Sequence, residues 1–540
     1  MDKIKGSHAL WAIAKNYFHY MASRYPVMCL SDEFYFFPRA HDALKFLDRL
    51  DSLNAQKIKD DVIFIKSLKD IMASFTESKV DLEASIDLKL LTQSMLTFLR
   101  EFDTVKIWKK DPTLYLKIIA LGIEQIVSRL TTIKINTAEM LVARLTQIPR
   151  LLKEAKHNLG SIPQGYLEVS LEFVDCVINY FKTLPLAKLP HGSLAKETIA
   201  LAKKSLDALG DFKNFLTRSS PQEKFIKNRQ LLTHILQDSF SYHRSLEEIF
   251  SIASREYRSI LKELKRTAKK IHLHKSWQEM LREYSLNIRN TKELLNLYAH
   301  EIKKLKKFLT QTDIITLPKT QNISVRLTPP FMKPIRASAS YSAPLTKNNK
   351  EHAYFYITPG TPRSAKFLTT VHNEFIFVTA HETYPGHHLL DSVRRNLKNP
   401  VRAQIESPFF YEGWASYAEH LIDSFGYISS PLQKLVGLRR KAWRAVRAML
   451  DVGVRINKIT PRTAAGLLTD LGYESRLVAL MLRHYLLTPG YQLCYTIGTY
   501  EIDLLKKRYA SQLGLKKFHE ILLEGGQIPF QLIERRLRAQ

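Results

Sequence analysis

Residues 378 to 390, VTAHETYPGHHLL, set a histidine–glutamate pair, His381 and Glu382, ahead of two further histidines, His387 and His388. Neutral imidazole is the commonest protein ligand for divalent transition metals, and a carboxylate beside it can carry protons. The stretch resembles the zinc-peptidase pattern H-E-x-x-H but departs from it, because Pro385 stands where the second histidine belongs. A helix turns about 100° per residue, so an i, i+4 pair shares one face. His387 is six residues on and falls on the far side of a straight helix. His388, seven on, has nearly the right angle but lies about 10 Å further along the axis. Neither can meet His381 unless the helix is broken. Pro385 and Gly386 are the residue types that break one: proline removes a backbone donor, and glycine admits backbone angles that other residues avoid.

A catalytic zinc site takes three protein ligands and keeps one position open for water. In SPFFYEGWASYAEHL, Glu412 and Glu419 lie seven residues apart in an aromatic-rich helical segment, near one helix face. Two histidines with one of these carboxylates complete that ligand pattern; spacing alone does not choose between Glu412 and Glu419, and Glu382 is left free to act as a base. A second His–Glu pair, His519-Glu520 in KFHEILLEGG, has no following histidine and reads as an ordinary helix surface.

The same residues carry a family resemblance. The chain resembles the bacterial family called domain of unknown function 885, which looks like a gluzincin-type metallopeptidase. The family's H-E-x-x-P-G-H-H stands at His381 to His388, and its E-G-W-A-x-Y-A-E at Glu412 to Glu419. Its C-terminal R-x-Y…P-G…Y-x-x-G is matched by Arg483, Tyr485, Pro489, Gly490, Tyr495 and Gly498. The E-G-W-A-S-Y-A-E segment is also similar to the E-G-F-A-x-Y segment of alanyl-aminopeptidase-type enzymes, where the first glutamate holds zinc. The resemblance therefore implies zinc on His381, His387 and Glu412, with Glu419 and His388 behind the ligands. It also implies Glu382 as general base and an oxyanion donor among Tyr495, Tyr491 and Tyr485, Tyr495 foremost. Arg483 would grip a substrate carboxylate with its planar fork. Many relatives have glutamine where Leu390 stands and histidine where Arg455 stands, which bears on specificity rather than on the ligands. His372 reads as a packed or supporting histidine, and Arg444, Arg447 and Asp451 as an internal ion-pair network.

The elements that would position these groups are mostly helical. Residues 1 to 315 read as a helical region, with breaks at Asp111-Pro112, Pro149, Gly160 to Pro163 and Pro185 to Pro190. From about 316 the texture changes: QNISVRLTPPF, PIRASASYSAPL and HAYFYITPG predict a small strand cluster over residues 322 to 358. Helical pattern returns near Ala365 and runs to the end. The expected fold is mainly α and zincin-like, a large helical shell with a few strands before the metal-binding helix. Residues 316 to 540 would form the catalytic region, continuous with the N-terminal half.

Bulk properties narrow the function further. No G-x-G-x-x-G, G-x-x-x-x-G-K-[ST] or G-x-S-x-G occurs, which removes the usual sequence support for nucleotide binding and serine hydrolysis. Three scattered cysteines make no disulfide framework, and no apolar run is long enough to span a membrane, so a cytoplasmic protein is expected. The net charge of +29 raises a rival of another class, a basic nucleic-acid- or surface-binding protein with a structural or vestigial metal site. The lysines and arginines are scattered, and the lack of any recognised binding module weighs against nucleic acid. A non-peptidase amide hydrolase is the other alternative. The expected activity is zinc-dependent hydrolysis of short peptides, since a large helical shell narrows access to the site.

Overall fold

The structure is a computed structural model. It describes residues 2–75, 81–128, 136–184, 192–221, 228–318, 322–333, 336, 339–344, 352–359 and 372–539. Helices carry most of the chain, and the described strands form one three-stranded sheet. Among the described residues no helix is long and apolar enough to cross a membrane. The chain divides into two compact units. One comprises Met1–Ile226 with Pro329–Ile335 and Asn399–Glu406; the other comprises Lys227–Thr328, Arg336–Lys398 and Ser407–Gln540.

The first unit is helical, and its breaks follow local chemistry. Asp111 caps the helix Pro112–Val127 by accepting the Thr113 N–H at 2.8 Å, while Pro112 takes the first helical position, where no N–H is needed. The stretch Gly160 to Pro163 separates the helices Asn136–Asn158 and Gln164–Lys182, as expected. Pro149 does not end a helix; it lies inside Asn136–Asn158. The apolar face of that helix, with Leu141, Leu145, Ile148 and Leu152 buried, outweighs one lost backbone bond. The break expected at Pro185 to Pro190 and the helix start expected near Ala365 lie outside the described residues.

The second unit carries the strands and all the motif residues. The strands β1 (Ile323–Leu327), β2 (Ala339–Ser342) and β3 (Ala353–Ile357) run in the order β1-β3-β2. β3 pairs parallel with β1, Val325 opposite Phe355, and antiparallel with β2, Tyr341 opposite Phe355. β3 alternates buried Ala353, Phe355 and Ile357 with half-buried Tyr354 and Tyr356, the period of a strand with one face in a core. β1 and β2 are the two outer strands of the described sheet, so each has a backbone edge that β3 does not take.

Candidate metal centre

The helix carrying His381 and Glu382 spans Phe375–Glu382 and stops there. The next helix begins at His387 and runs to Arg395. Between them, Thr383 closes the first helix by donating its N–H to the Thr379 carbonyl at 2.8 Å. The chain then folds back, and the Gly386 N–H reaches the Ala380 carbonyl at 2.9 Å. A side chain at Gly386 would place its Cβ 1.9 Å from the His381 carbonyl oxygen, so only glycine fits this approach. Trp414 Nε1 donates to the Pro385 carbonyl at 2.9 Å and pins the turn from the side. The break expected from Pro385 and Gly386 is present, and it turns the His387 ring to within 4.6 Å of the His381 ring, centroid to centroid.

Ligand-capable atoms of His381, Glu382 and His387 all lie within 4.8 Å of one another. Glu412, on the helix Pro408–Ser424, meets both imidazoles more closely. Its Oε2 is 3.3 Å from His381 Nε2 and 3.5 Å from His387 Nε2. Tetrahedral zinc with bonds of about 2.0–2.1 Å holds its ligand atoms about 3.3–3.4 Å apart. The residues present therefore fit that ion. The state of Glu412 agrees: Oε2 is buried with no hydrogen-bond partner, whereas Oε1 accepts from the Tyr491 hydroxyl at 2.5 Å and the Tyr495 hydroxyl at 2.9 Å. One oxygen is tied back by two phenols and the other is presented to the histidines. Burial opposes the charge of Glu412, but the two imidazoles beside it outweigh burial and hold the carboxyl well below its usual range.

Glu382 is directed elsewhere. Its Oε2 accepts the backbone N–H of Tyr341, on the outer strand β2, at 2.7 Å, and part of the residue stays accessible. Burial of the carboxyl raises its pKa to about 7; the Glu412 charge adds to the rise, while His387 and the Tyr341 N–H oppose it. A carboxyl in that range suits proton exchange near neutrality.

Behind the histidine cluster, Glu419 lies 3.1 Å from His381 Nδ1 and is itself held by Arg440 at 3.0 Å and Arg444 at 2.7 Å. Burial opposes its charge, and the two guanidiniums reverse that and keep it a carboxylate. An Nδ1–H donated to Glu419 leaves Nε2 as a lone-pair donor facing Glu412 and His387, the tautomer a metal needs. The His387 ring stacks on Tyr411, centroids 3.7 Å apart at 12°. His388 turns the other way, with Nδ1 3.5 Å from the Tyr341 hydroxyl and its ring edge-on to Tyr384; burial lowers its pKa to about 4. His372 is buried against Tyr298, its Nδ1 2.7 Å from that hydroxyl.

The closeness of Glu412 to Tyr495 depends on two glycines. Gly413 of the glutamate helix faces Gly498 of the helix Cys494–Leu513, and a Cβ on Gly498 would lie 2.7 Å from Gly413 Cα and 2.6 Å from the Phe409 carbonyl. Gly498→Ala should thus cost about 1–3 kcal/mol of stability and move the Tyr495 hydroxyl off Glu412. Denaturant unfolding would measure the first effect, and an unchanged midpoint would show that the helices have room to spare.

A family model described as "Bacterial protein of unknown function (DUF885)" matches residues 40–537. The chain belongs to this family. No curated protein matches it. Among solved structures, one described as a "putative lipoprotein" from Colwellia psychrerythraea aligns at TM-score 0.80 and 16% identity, covering 99% of each chain. Another, described as a "putative lipoprotein of unknown function" from Shewanella oneidensis, aligns at TM-score 0.74 and 17% identity, covering 92% of this chain and 94% of that one. At these identities the likeness is one of fold.

Two departures from the DUF885 pattern have structural homes. Leu390 is fully buried in the second histidine helix. Arg455 donates to Asp451 Oδ1 at 3.0 Å, and Asp451 accepts the N–H groups of Gly490, Gln492 and Leu493 at 3.0, 3.0 and 3.2 Å. That carboxylate shapes the loop that delivers Tyr491 to Glu412. Arg444, Arg447 and Asp451 thus do not form the single ion-pair network expected of them. Arg444 serves Glu419, Arg447 donates to Gln492 Oε1 at 2.9 and 2.7 Å, and Asp451 serves the loop. Their positions on the helix Pro431–Gly453 spread them past three different partners. The guanidinium of Arg447 also lies 3.9 Å from the Tyr495 ring centroid. Arg483 is half-buried on the helix Ser475–Leu487, which also carries Tyr485; the Tyr485 hydroxyl accepts from Trp443 Nε1 at 3.1 Å. His519 is buried rather than at the surface. It bridges the Ile314 carbonyl and the Tyr417 hydroxyl, each at 2.8 Å, while Lys517 takes the exposed side of that turn.

Proposed function

We propose that this protein is a zinc-dependent hydrolase of the gluzincin kind, with a zincin-like catalytic unit acting on short peptides. One observation carries the reading: a buried carboxylate oxygen without a hydrogen-bond partner, 3.3 and 3.5 Å from two imidazole Nε2 atoms. His381, His387 and Glu412 would hold the ion. Zinc in such a site supplies Lewis acidity and brings the pKa of water down to about 7. Glu382 takes the proton of the attacking water and returns it to the leaving amine. Tyr491 and Tyr495 hold Glu412 through one oxygen only. The Tyr495 hydroxyl, expected to meet an oxyanion, is engaged with the ligand carboxylate, so we assign it to positioning the ligand first. Burial pushes that hydroxyl well above its usual pKa, and it remains a donor.

A peptide, rather than another amide, is supported by β2. It is one of the two edge strands, and the one whose Tyr341 N–H contacts the base directly. An extended backbone added to that edge would pass Glu382, and main-chain pairing would supply affinity independent of side chains. Gently purified protein should contain about one zinc per chain and should cleave members of a short-peptide library. A chelator should stop cleavage and added zinc restore it. A chain that takes up no zinc sinks the metal site; a zinc-loaded chain that cleaves other amides and no peptide redirects the substrate.

A further inference from the structure

A strongly charged exposed surface of the second unit lies away from the histidine cluster in sequence, on the helix Leu246–Ile271. Its inner face is apolar, with Ile249, Ile252, Tyr257, Ile260, Leu264 and Ala268 buried, and it packs on the helix Pro431–Gly453. Residues 255 to 275, REYRSILKELKRTAKKIHLHK, hold eight lysines or arginines against two glutamates. Lys262, Lys265, Arg266, Lys269 and Lys270 are all exposed. Glu263 is 3.9 Å from Arg266 and Lys275 pairs with Glu283, so Lys262, Lys265, Lys269 and Lys270 carry most of the unneutralised charge. The helix ends at His272, and the next residue, Leu273, is 80% exposed, the barest of the large apolar side chains described. The chain holds this leucine out in water, flanked by His272 and His274 and next to the lysine-rich last turns.

We propose that this end of the helix is a docking surface for an anionic phospholipid bilayer, with Leu273 entering the interface and the lysines meeting lipid phosphates. A cationic collar around an exposed aliphatic side chain matches the two layers of such a surface, charge outside and hydrocarbon beneath. A nucleic acid would satisfy the lysines but leave Leu273 in water. It would also find no exposed Phe, Tyr or Trp to stack on in the stretch, since Tyr257 is buried; only the His272 and His274 rings are open. In the sequence these charges look diffuse; the fold gathers them because the helix turns most of its apolar residues inward.

The test is flotation of the full chain with phosphatidylcholine vesicles, with and without phosphatidylserine. Binding should require phosphatidylserine and weaken at raised salt. Lys269→Ala with Lys270→Ala should weaken it roughly 10- to 30-fold, and Leu273→Ser roughly 5- to 50-fold. All three residues are exposed, so the fold should survive. Lys303→Ala with Lys307→Ala, the same loss of charge on the exposed side of the helix Thr291–Thr312, should leave binding unchanged. The proposal is overturned if phosphatidylserine makes no difference, or if this control pair weakens binding as much. It is also overturned if Leu273→Ser binds vesicles like the parent while the Lys269/Lys270 variant loses vesicles and single-stranded RNA alike, which would mark a general polyanion surface.

Discussion

Glu382→Gln should leave zinc uptake and the fold intact and lower peptide hydrolysis by about 10²- to 10⁴-fold. The amide has the shape of the carboxylate, and its carbonyl oxygen can still accept the Tyr341 N–H that now reaches Glu382 Oε2 at 2.7 Å. What it cannot do is accept a proton. The atoms of His381, His387 and Glu412 proposed to hold zinc are untouched by the change, so zinc content should stay at that of the parent. Zinc analysis and turnover on one preparation separate the cases. Retained zinc with lost turnover assigns Glu382 as the base. Retained zinc with full turnover removes it from the mechanism and leaves the metal site standing.

Which parts of the site were legible in the sequence follows from the range of each interaction. The helix break between Glu382 and His387 could be read because proline and glycine act on their own backbone. The approach of Gly386 to the His381 carbonyl is a contact between residues five apart. The small sheet could be read from β-branched and aromatic runs bounded by proline, but its order β1-β3-β2 could not, because register depends on partners far along the chain. Pro149 misled because its helix is held by its buried face and not by its backbone alone. His519 misled for a related reason: nothing near it in the sequence announces Tyr417, 102 residues away.

The support behind the ligands was the least legible. Spacing placed Glu419 on the face of Glu412, but its partners Arg440 and Arg444 come from another helix. A signal was available in LRRKAWRAVR, where Arg440 and Arg444 sit four apart on one face, a spacing suited to gripping one carboxylate between two guanidiniums. The pairing of Gly413 with Gly498 carried no local signal at all, since each glycine is ordinary within its own helix and acquires its role only where the two helices cross.

The sharpest contrast should lie between the two glutamates of one helix. Glu412→Ala removes the oxygen that faces both Nε2 atoms, and two imidazoles alone should not hold zinc through purification, so the metal content should fall to background. It also removes the carboxylate that accepts from the Tyr491 and Tyr495 hydroxyls, and a hydrogen bond to a charged group is worth about 1.5–3 kcal/mol. Glu419→Gln acts differently. The ligand set stays complete, and zinc affinity should fall by about 10- to 100-fold as the hold on His381 Nδ1 weakens. Stability should suffer more than affinity, because Arg440 and Arg444 lose the carboxylate that lies between them; breaking a buried pair costs about 3–5 kcal/mol. Arg440 keeps Glu374 as a second partner, which sets the low end of that range. Competition with a chelator of known affinity reads the zinc term, and unfolding of the metal-free chains reads the stability term independently. If the Glu419 variant loses zinc outright while the Glu412 variant retains it, the first ligand is Glu419 and the 3.3 and 3.5 Å approaches of Glu412 are a buried hydrogen-bond cluster instead.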